Sequence, residues 1–511
     1  MFVRRLRSKV GNIQVQVVEK VNGNNRVVKH IGTARNDLEQ ITLEQQAQQY
    51  IDGVRIDKGQ ISLFDNRYTQ SDLHRFFSQV KIMGVLVTPT YQVLEYFYNL
   101  VGFSHLNDVC FKDLVIARLA RPGSKVATRN WLDRKLNKKY SLTAIYRHMR
   151  QIFDLQYQSQ VEDLIFQYLS QQTSTVISVL FFDVTTLYYE AFDEDDLRKC
   201  GFSKDRKNNQ PQLVVALTVN RQGFPLQLNV FPGNKFEGHT FIPCMKQLIA
   251  KHQLKQFVVV ADSAMISVTN MAALERERID FIVGARLGNL KQTLFDKIVA
   301  TIPKVDGATK RFTFNQNQIL VVSYSTKRAN KDRADRNKQL KRAEHALHSP
   351  SAIVNRYKYL QKAQVPTKGS TWKINQEKVI KSTQLEGLKG YVTNATNLTD
   401  KEIIEKYASL WQVEQSFRIS KSDLKARPIF HTTQDKIEAH LAIVFTALAV
   451  AKLIEQTTHQ SIRQTIELLE DIHEIKFEDP VSGEALSLYT KTTNPTMKKL
   501  LTYAKCLQAV G

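Results

Sequence analysis

Alternating apolar and polar residues mark the beginning of the chain as β-structure. In residues 3–31 the alternation runs on both sides of Asn22-Gly-Asn-Asn25. Because Gly and Asn tolerate a positive φ, that segment is typical of a hairpin turn. We therefore predict a small N-terminal β-unit, followed by a polar, irregular stretch over residues 39–79.

The pattern then becomes helical. Apolar residues recur with a helical period in five segments, at residues 90–101, 107–119, 125–136, 142–153 and 160–171. This periodicity predicts a compact domain made of helices.

After Ser174 the pattern is that of strands alternating with helices. Strands are predicted at residues 175–182, 212–219, 225–231, 257–261 and 281–283, and helices at 240–252 and 268–277. The first three strands suggest an antiparallel meander, and the later alternation favours an α/β core. Asp183 follows the first apolar strand directly, and Asp262 follows the fourth.

The region around residues 300–390 differs from this core. It has strand-like pieces at 311–314 and 319–324, and a stretch over 327–342 with eight Lys/Arg and two Asp. A solvated helix or a mobile loop is the ordinary interpretation of such a charged stretch.

A polar helix face is predicted further on. Thr399-Asp400 is a good N-cap for a helix over residues 401–425. On a helical wheel this helix would bring together, within about 60°, Tyr407, Glu414, Arg418, Lys421 and Lys425. Residues 437–453 read as a buried apolar helix, and the remainder as a mixed helical tail.

Charge changes the picture of the partners. The 511 residues carry 72 Lys and Arg against 49 Asp and Glu, a formal net charge of +23. Such a surplus attracts polyanions and favours nucleic acid, with an anionic membrane or simple solubility as alternatives. Four scattered cysteines and the lack of a leader-like N-terminus predict a cytoplasmic protein that joins the nucleoid when bound, with no membrane partner.

Basic residues are frequent in the helical segment, and Lys125 and Arg129 lie on one of its predicted helices. A helix fits the major groove of a duplex, and such cations fix it to phosphates, which predicts a DNA-binding domain. A helical scaffold with a solvated basic face is an equally good interpretation.

Three carboxylates suggest the chemistry. Asp183, Asp262 and Glu414 come from two strand ends and a later helix, and converging carboxylates require a cation. Hard oxygen ligands select Mg²⁺ or Mn²⁺, and two such ions suit phosphoryl transfer. An Asp at a strand end is more often a cap or turn residue, so the pattern alone is weak.

Several motifs resemble those of bacterial insertion-sequence transposases of the DDE type. The motifs are Asp183-Val-Thr-Thr186, Gly201-Phe-Ser-Lys-Asp205, Pro232-Gly-Asn234 with Glu237, Ala261-Asp-Ser263, and Tyr407-x2-Leu410-x3-Glu414-x6-Lys421. They occur in the order of the group with a Tyr-x2-Arg-x3-Glu-x6-Lys signature, and the similarity covers most of the chain.

The resemblance implies an RNase H-like catalytic core with a β-rich insertion between the second Asp and the Glu. It implies that Asp183, Asp262 and Glu414 bind the metal ions, and that Tyr407 and Lys421 contact DNA phosphates near the cleaved end. Leu410 stands where the signature has Arg, and Arg418 is a candidate substitute.

The fold class predicted is therefore α/β, with an RNase H-like core, an insertion, a preceding helical DNA-binding domain and a small N-terminal β-unit. The boundaries are 1–75 for the β-unit and linker, 76–172 for the helical domain, 173–300 and 389–460 for the two parts of the core, 301–388 for the inserted subdomain, and 461–511 for the tail.

The function implied is that of a cut-and-paste DNA transposase, acting on the transposon ends and target DNA as a homodimer. The alternatives are a non-catalytic DNA-binding repressor or architectural protein descended from a transposase, and a nuclease without strand transfer. Many members of the family form a DNA hairpin, in which an extruded base can stack on an aromatic ring. Trp411 and Trp372 are candidates for that contact, and core packing is as good an interpretation of each.

Overall fold

The structure is a computed structural model. It describes residues 1–7, 12–21, 23–35, 37–57, 78, 80–172, 178–189, 193–201, 209–263, 267–347, 357–363, 371–478 and 484–503. Residues 202–205 of the predicted Gly201 motif lie outside the described residues. The chain divides into two compact units, one of residues 1–93, 134–137 and 468–511, the other of residues 94–133 and 138–467.

The secondary structure mixes strands and helices along the chain. The strands are β1 Phe2–Arg7, β2 Ile13–Val21, β3 Asn24–Ala34, β4 Lys81–Leu86, β5 Val179–Tyr188, β6 Gln212–Val219, β7 Pro225–Pro232, β8 Val258–Ala261, β9 Asp280–Ala285, β10 Thr309–Asn315, β11 Gln318–Tyr324, β12 Leu360–Ala363, β13 Thr371–Ile374, β14 Leu388–Thr393, β15 Glu474–Glu478 and β16 Ala485–Tyr489. The helices are α1 Asp37–Asp57, α2 Thr88–Leu100, α3 Val109–Ala120, α4 Lys125–Leu136, α5 Leu142–Asp154, α6 Tyr157–Gln172, α7 Phe241–His252, α8 Val268–Arg276, α9 Gln292–Thr301, α10 Thr326–Leu347, α11 Gln376–Gln384, α12 Asp400–Ala408, α13 Trp411–Arg418, α14 Gln434–Thr458, α15 Ile462–Leu469 and α16 Pro495–Tyr503.

The first unit contains two small antiparallel sheets, with strand orders β1-β2-β3 and β16-β15-β4. In the first sheet, Val15 and Val17 point to the same side and pack against Ala47 and Ile51 of α1. The β-unit predicted at the N-terminus is therefore present. The prediction of an irregular stretch after it is wrong over α1, because the apolar residues of this Gln-rich helix are few but recur at helical spacing.

The second small sheet draws on distant parts of the chain. β15 pairs with both β4 and β16. The tail predicted as helical thus contains two strands, and pairing across almost 400 positions is invisible to a local pattern.

The second unit is built on a large mixed sheet. Its eight strands have the order β10-β11-β14-β9-β8-β5-β6-β7. The strands β5, β6 and β7 form an antiparallel meander, and β5, β8 and β9 are mutually parallel neighbours. A meander followed by two parallel strands is the RNase H-like arrangement, so the predicted α/β fold class is confirmed.

The strands β14, β11 and β10 extend that arrangement by antiparallel pairing onto β9. β10 and β11 come from the region predicted as an insertion, and they belong to the same sheet as the core. The charged stretch of that region forms α10, in agreement with the interpretation as a solvated helix, and β12 and β13 pair as a separate hairpin.

A long apolar helix joins the sheet to the earlier helices. α14 packs against β7 and against α3, α5 and α6. It is long and apolar enough to cross a membrane, and 94% of its most apolar window is buried inside the protein. Leu441, Ile443 and Phe445 are among its residues with almost no exposure, so α14 is a core helix, as predicted.

The helix predicted over residues 401–425 is broken. α12 ends at Ala408, α13 begins at Trp411, and a π-helical turn follows over Ile419–Asp423. α12 packs against β8 and β9, whereas α13 packs against β5 and β6. The break lets the chain pass from one pair of strands to the next, and the wheel of a single continuous helix does not apply.

Candidate active site

Two aspartates lie side by side at the middle of the large sheet. In the parallel pairing of β5 with β8, Phe182 is opposite Ala261, so the next residues along the two strands are Asp183 and Asp262. Neighbouring strands are about 4.8 Å apart, which places both carboxylates at one level. Asp183 is half-buried and Asp262 is exposed. The structure thus brings together the first two candidate residues.

Glu414 lies on α13, the helix that packs against β5 and β6. Val413, Ser416 and Phe417 are the buried residues of α13, and the Ser416 hydroxyl donates to the carbonyl oxygen of Gly223 at 2.9 Å. Glu414 is on the exposed side. Its charge acts on Lys389 and Tyr407, the same two residues on which the charge of Asp262 acts. Glu414 therefore faces the same site as Asp262.

The hydroxyl of Tyr407 contacts the carboxylate of Asp262. The tyrosine is only 8% exposed, and its hydroxyl lies 3.4 Å from Oδ1 of Asp262. Burial, and then the nearby Asp262 carboxylate, raise the pKa of Tyr407, so the hydroxyl is a proton donor at neutral pH. The backbone amide of Ser263 donates to the same Oδ1 at 2.7 Å. Both donors orient the carboxylate.

The close approach of Tyr407 depends on Gly284 of β9. A Cβ at position 284 would lie 2.5 Å from the tyrosine hydroxyl oxygen and 3.1 Å from its ring carbon Cζ. Only glycine leaves room for the ring at this depth.

Lys389 supplies a cation to this group of carboxylates. Its ammonium lies 4.4 Å from the ring centroid of Tyr407, within cation–π range. Burial lowers the pKa of Lys389, as does Arg328, while Asp262 and Glu414 act in the opposite direction. Lys389 was not predicted from the sequence. A lysine within the apolar strand β14 is the signal that could have indicated it.

A cationic cavity of about 420 Å³ adjoins Lys389. Its charged lining residues are five cations and two acids, namely Arg286, Arg328, Arg336, Lys358 and Lys389 with Asp332 and Asp335. On α10, Arg333 and Arg336 pair with Glu386. The side of the site toward α10 is therefore positively charged.

The candidate metal ligands are suited in kind to a hard divalent cation. Asp183, Asp262 and Glu414 offer carboxylate oxygens, the donors that Mg²⁺ and Mn²⁺ prefer. Within the part of the chain that the structure describes, no three His, Cys, Asp or Glu side chains are gathered closely enough to hold an ion. The donor set fits the metal, while its arrangement is not that of an assembled metal site.

The remaining signature positions have distinct surroundings. Lys421 lies in the π-helical turn, and its ammonium donates to Oγ1 of Thr185, two residues beyond Asp183 on β5. Arg418 is exposed. Leu410 is 8% exposed at the break between α12 and α13, so the side chain that replaces the signature Arg is packed inside. Arg418 is the cation left free to face solvent on α13.

The two candidate tryptophans differ in exposure. Trp411 is 53% exposed, one turn before Glu414. Trp372 of β13 packs against a small cluster that includes Ala343 and Leu360. Trp411 is thus available for a ligand, whereas Trp372 serves the core of the hairpin and α10.

The two candidate DNA-binding residues of the helical segment, Lys125 and Arg129, also differ in exposure. Lys125 at the start of α4 is 4% exposed, so its ammonium is not on the outer surface of the helical segment. Arg129 is half-buried and donates from Nη2 to Asn130 Oδ1 at 2.7 Å. A contact between Lys125 and DNA would therefore require a phosphate group to enter the protein.

Two of the motif glycines pack against each other near β6. Gly233 donates its amide to Leu197 O at 3.1 Å, and its carbonyl accepts from the Gln212 side chain at 3.0 Å. A Cβ on Gly201 would lie 2.2 Å from the Gly233 carbonyl oxygen. The Gly201 and Pro232-Gly-Asn234 motifs are therefore partners in one backbone contact.

Comparison with known proteins gives one family match. The model of the family described as "Transposase DDE domain" matches residues 174–450, more than half of the chain. No curated protein matches the chain in sequence. Among solved structures, a piggyBac transposase synaptic complex with hairpin DNA aligns with a TM-score of 0.38 and 9% identity over 74% of this chain and 70% of that one. At that score the strand order, and not this likeness, defines the fold.

Proposed function

The chain belongs to the transposase DDE domain family, and on that premise we propose that it binds the terminal inverted repeats of a mobile DNA element, cleaves the strands there and joins them to target DNA. The observation that supports this best is the pairing of β5 with β8, which sets Asp183 beside Asp262, with Glu414 facing the same site.

Asp183, Asp262 and Glu414 are proposed to hold two divalent ions, Mg²⁺ or Mn²⁺. When bound, such ions activate the attacking oxygen and stabilise the leaving oxygen in phosphoryl transfer. The chain's own residues orient the ligands: Tyr407 and the Ser263 amide fix one oxygen of Asp262. Lys389 offsets the repulsion among the carboxylates.

The DNA partner is supported by charge. The net charge of +23 favours a polyanion, and the cavity lined by Arg286, Arg328, Lys358 and Lys389 places cations beside the carboxylates. We propose that DNA lies over this side, with Arg418 and Lys421 near its phosphates and Trp411 available to stack on a base. Two ends must be held at once, so the active form is proposed to be a homodimer in the cytoplasm.

The choice of metal tests the ligand assignment. With DNA carrying the inverted repeats that flank the reading frame, we expect cleavage in Mg²⁺ or Mn²⁺ and binding without cleavage in Ca²⁺. Mg²⁺ requires oxygen ligands at about 2.0–2.1 Å, whereas Ca²⁺ takes longer bonds of about 2.3–2.6 Å and more ligands. Gel shifts measure binding, and denaturing gels measure cleavage. DNA of equal length with scrambled ends is the control, and cleavage that required Zn²⁺ would contradict the assignment.

The substitution Tyr407→Phe tests whether the Tyr407 hydroxyl positions Asp262 or contacts DNA. We expect Tyr407→Phe to slow cleavage about tenfold with DNA affinity unchanged, because a hydrogen bond to a charged group contributes roughly 1.5 kcal/mol or more. Cleavage under single-turnover conditions and gel shifts give the two readouts. Loss of affinity with normal cleavage of bound DNA would instead assign Tyr407 to a phosphate contact.

Gly284→Ala is a second variant that disturbs the same contact between Tyr407 and Asp262. Its Cβ would displace the Tyr407 ring, so we expect a similar loss of cleavage. Combined with Tyr407→Phe, the losses should be less than additive, since both act on the same contact. Full additivity would show that the two residues act separately.

A further inference from the structure

A second cationic cavity lies away from the carboxylates. Its volume is about 120 Å³, and its lining includes Arg118, Lys125, Lys425, Arg427, His431 and His440. We call it the cationic pocket. No Asp or Glu among the described residues lines it. The lining of the pocket therefore carries cationic side chains and, among the described residues, no carboxylate.

Two of these cations are deeply buried. Arg118 and Lys125 are each 4% exposed, and neither has an ion-pair partner among the residues that the structure describes. Burial lowers the pKa of Arg118 to about 10, and burial together with Arg118 lowers the pKa of Lys125 strongly. An unpaired charge is strongly destabilising when it is buried. A bound anion would remove that cost.

The positive charge of the pocket also acts on its two histidines. Nε2 of His440 lies 3.3 Å from the carbonyl oxygen of Ala426, and its Nδ1 is buried with no hydrogen-bond partner in the described part of the chain. Burial and the neighbouring Arg118 and Lys125 lower the pKa of both His431 and His440. Both rings are therefore neutral near pH 7, and an anion in the pocket would favour their protonation.

The acidic groups nearby are engaged elsewhere. Asp435 acts on His431, but it also interacts with Lys436 and Arg150, and it does not line the pocket. The Cys110 side chain acts on Lys125 but does not line the pocket. Neither group neutralises the pocket.

We propose that the cationic pocket binds a tetrahedral oxyanion, the phosphate group being the ligand class. A cavity of about 150 Å³ holds benzene, which has six heavy atoms. Phosphate has five heavy atoms and fits the 120 Å³ available, whereas a nucleoside does not. Arg and Lys side chains donate charge-assisted hydrogen bonds to each of its oxygens.

The phosphate has two possible sources, free phosphate and the DNA backbone. β5 leads from Asp183 toward the pocket: the Arg427 guanidinium lies 5.3 Å from the Tyr188 ring centroid, and Tyr189 bridges to Ile429. Tyr188 is five residues beyond Asp183, or roughly 17 Å at the rise of a strand, which equals about five base pairs of duplex. A backbone phosphate near the cleaved end is thus within reach.

The pocket itself is tested with inorganic phosphate on the full chain. We expect saturable binding of about one radiolabelled phosphate per chain in equilibrium dialysis, and a melting temperature raised by roughly 2 °C or more in 20 mM phosphate over chloride of equal ionic strength. In Lys125→Met both responses should disappear, while the melting temperature in chloride stays equal or rises because an unpaired buried charge is gone.

Arg118→Met is the second variant, in case Lys125→Met does not fold, and Lys139→Met is the matched control, since Lys139 is exposed and outside the pocket. We expect loss of phosphate binding in the first and normal binding in the second. Absence of saturable binding to the wild type, or wild-type phosphate binding by both Lys125→Met and Arg118→Met, would overturn the proposal.

DNA binding in chloride distinguishes the sources. If the backbone phosphate fills the pocket, Lys125→Met should weaken DNA binding about tenfold, and free phosphate should compete with DNA beyond its ionic-strength effect. If free phosphate is the ligand, DNA and phosphate should bind together. Either result supports the oxyanion site. Neither readout depends on DNA cleavage, so this proposal and the proposed transposase activity are tested independently.

Discussion

Strand cleavage by Asp183→Asn, Asp262→Asn or Glu414→Gln is expected to fall at least about a thousandfold below the wild type, with DNA affinity within about threefold. An amide has nearly the shape of the carboxylate but lacks its charge, so it binds a divalent ion poorly. The DNA contacts come from other side chains, which the substitutions leave in place.

The stability of these variants should be nearly that of the wild type. Asp262 and Glu414 are exposed, and neutralising one member of a group of like charges relieves repulsion. Glu405→Gln on α12 is the matched control, because Glu405 is an exposed acid on the neighbouring helix. Cleavage at more than a tenth of the wild-type rate by one of the three variants would remove that residue from the site.

Gly233→Ala is expected to destabilise the second unit by about 3 kcal/mol or more. A Cβ at Gly233 would lie 2.1 Å from the Gln212 carbonyl oxygen and 2.2 Å from that of Lys199. These oxygens belong to backbone that is itself hydrogen-bonded between residues 199 and 212, so they cannot turn away as a flexible side chain would. The loop after β7 must therefore move.

Urea unfolding followed by circular dichroism measures this effect. We expect the midpoint to fall by about 1 M. Gly53→Ala is the control, because nothing lies within 4 Å of a Cβ at that helical position. It should be neutral or about 0.5–1 kcal/mol more stable. An unchanged midpoint for Gly233→Ala would show that the contact between the two glycine motifs can rearrange at little cost in stability.

The core of the fold was predictable because its signals are local. The apolar run before Asp183 and the turn Asn220-Arg-Gln-Gly223 determine the meander, and Gly223 adopts the positive φ of 76° that this turn requires. Both aspartates were predicted at strand ends. Asp262 does follow β8, but β5 continues to Tyr188, so the prediction is wrong for Asp183, which lies within its strand and meets Asp262 through the parallel register.

The structural features that could not be predicted from the sequence depend on packing between distant segments. β10 and β11 join the large sheet through β14, about 70 residues later in the chain, and nothing in their own pattern marks that pairing. The break at Ser409–Leu410 arises because α12 and α13 cover different strands. Lys389 and the cationic pocket likewise depend on which elements meet, since Lys125 and Arg427 lie some 300 positions apart.

The central proposal, that one carboxylate site both cuts and joins DNA, is tested most directly by a strand-transfer assay. Labelled linear DNA carrying the element's own ends is incubated with the protein, Mg²⁺ and a target plasmid, and covalent joining is followed on a denaturing gel. The proposal predicts labelled plasmid with the wild type and none with Asp183→Asn. Binding without cleavage would identify a non-catalytic DNA-binding protein, cleavage without joining would identify a nuclease, and either result would contradict the proposal.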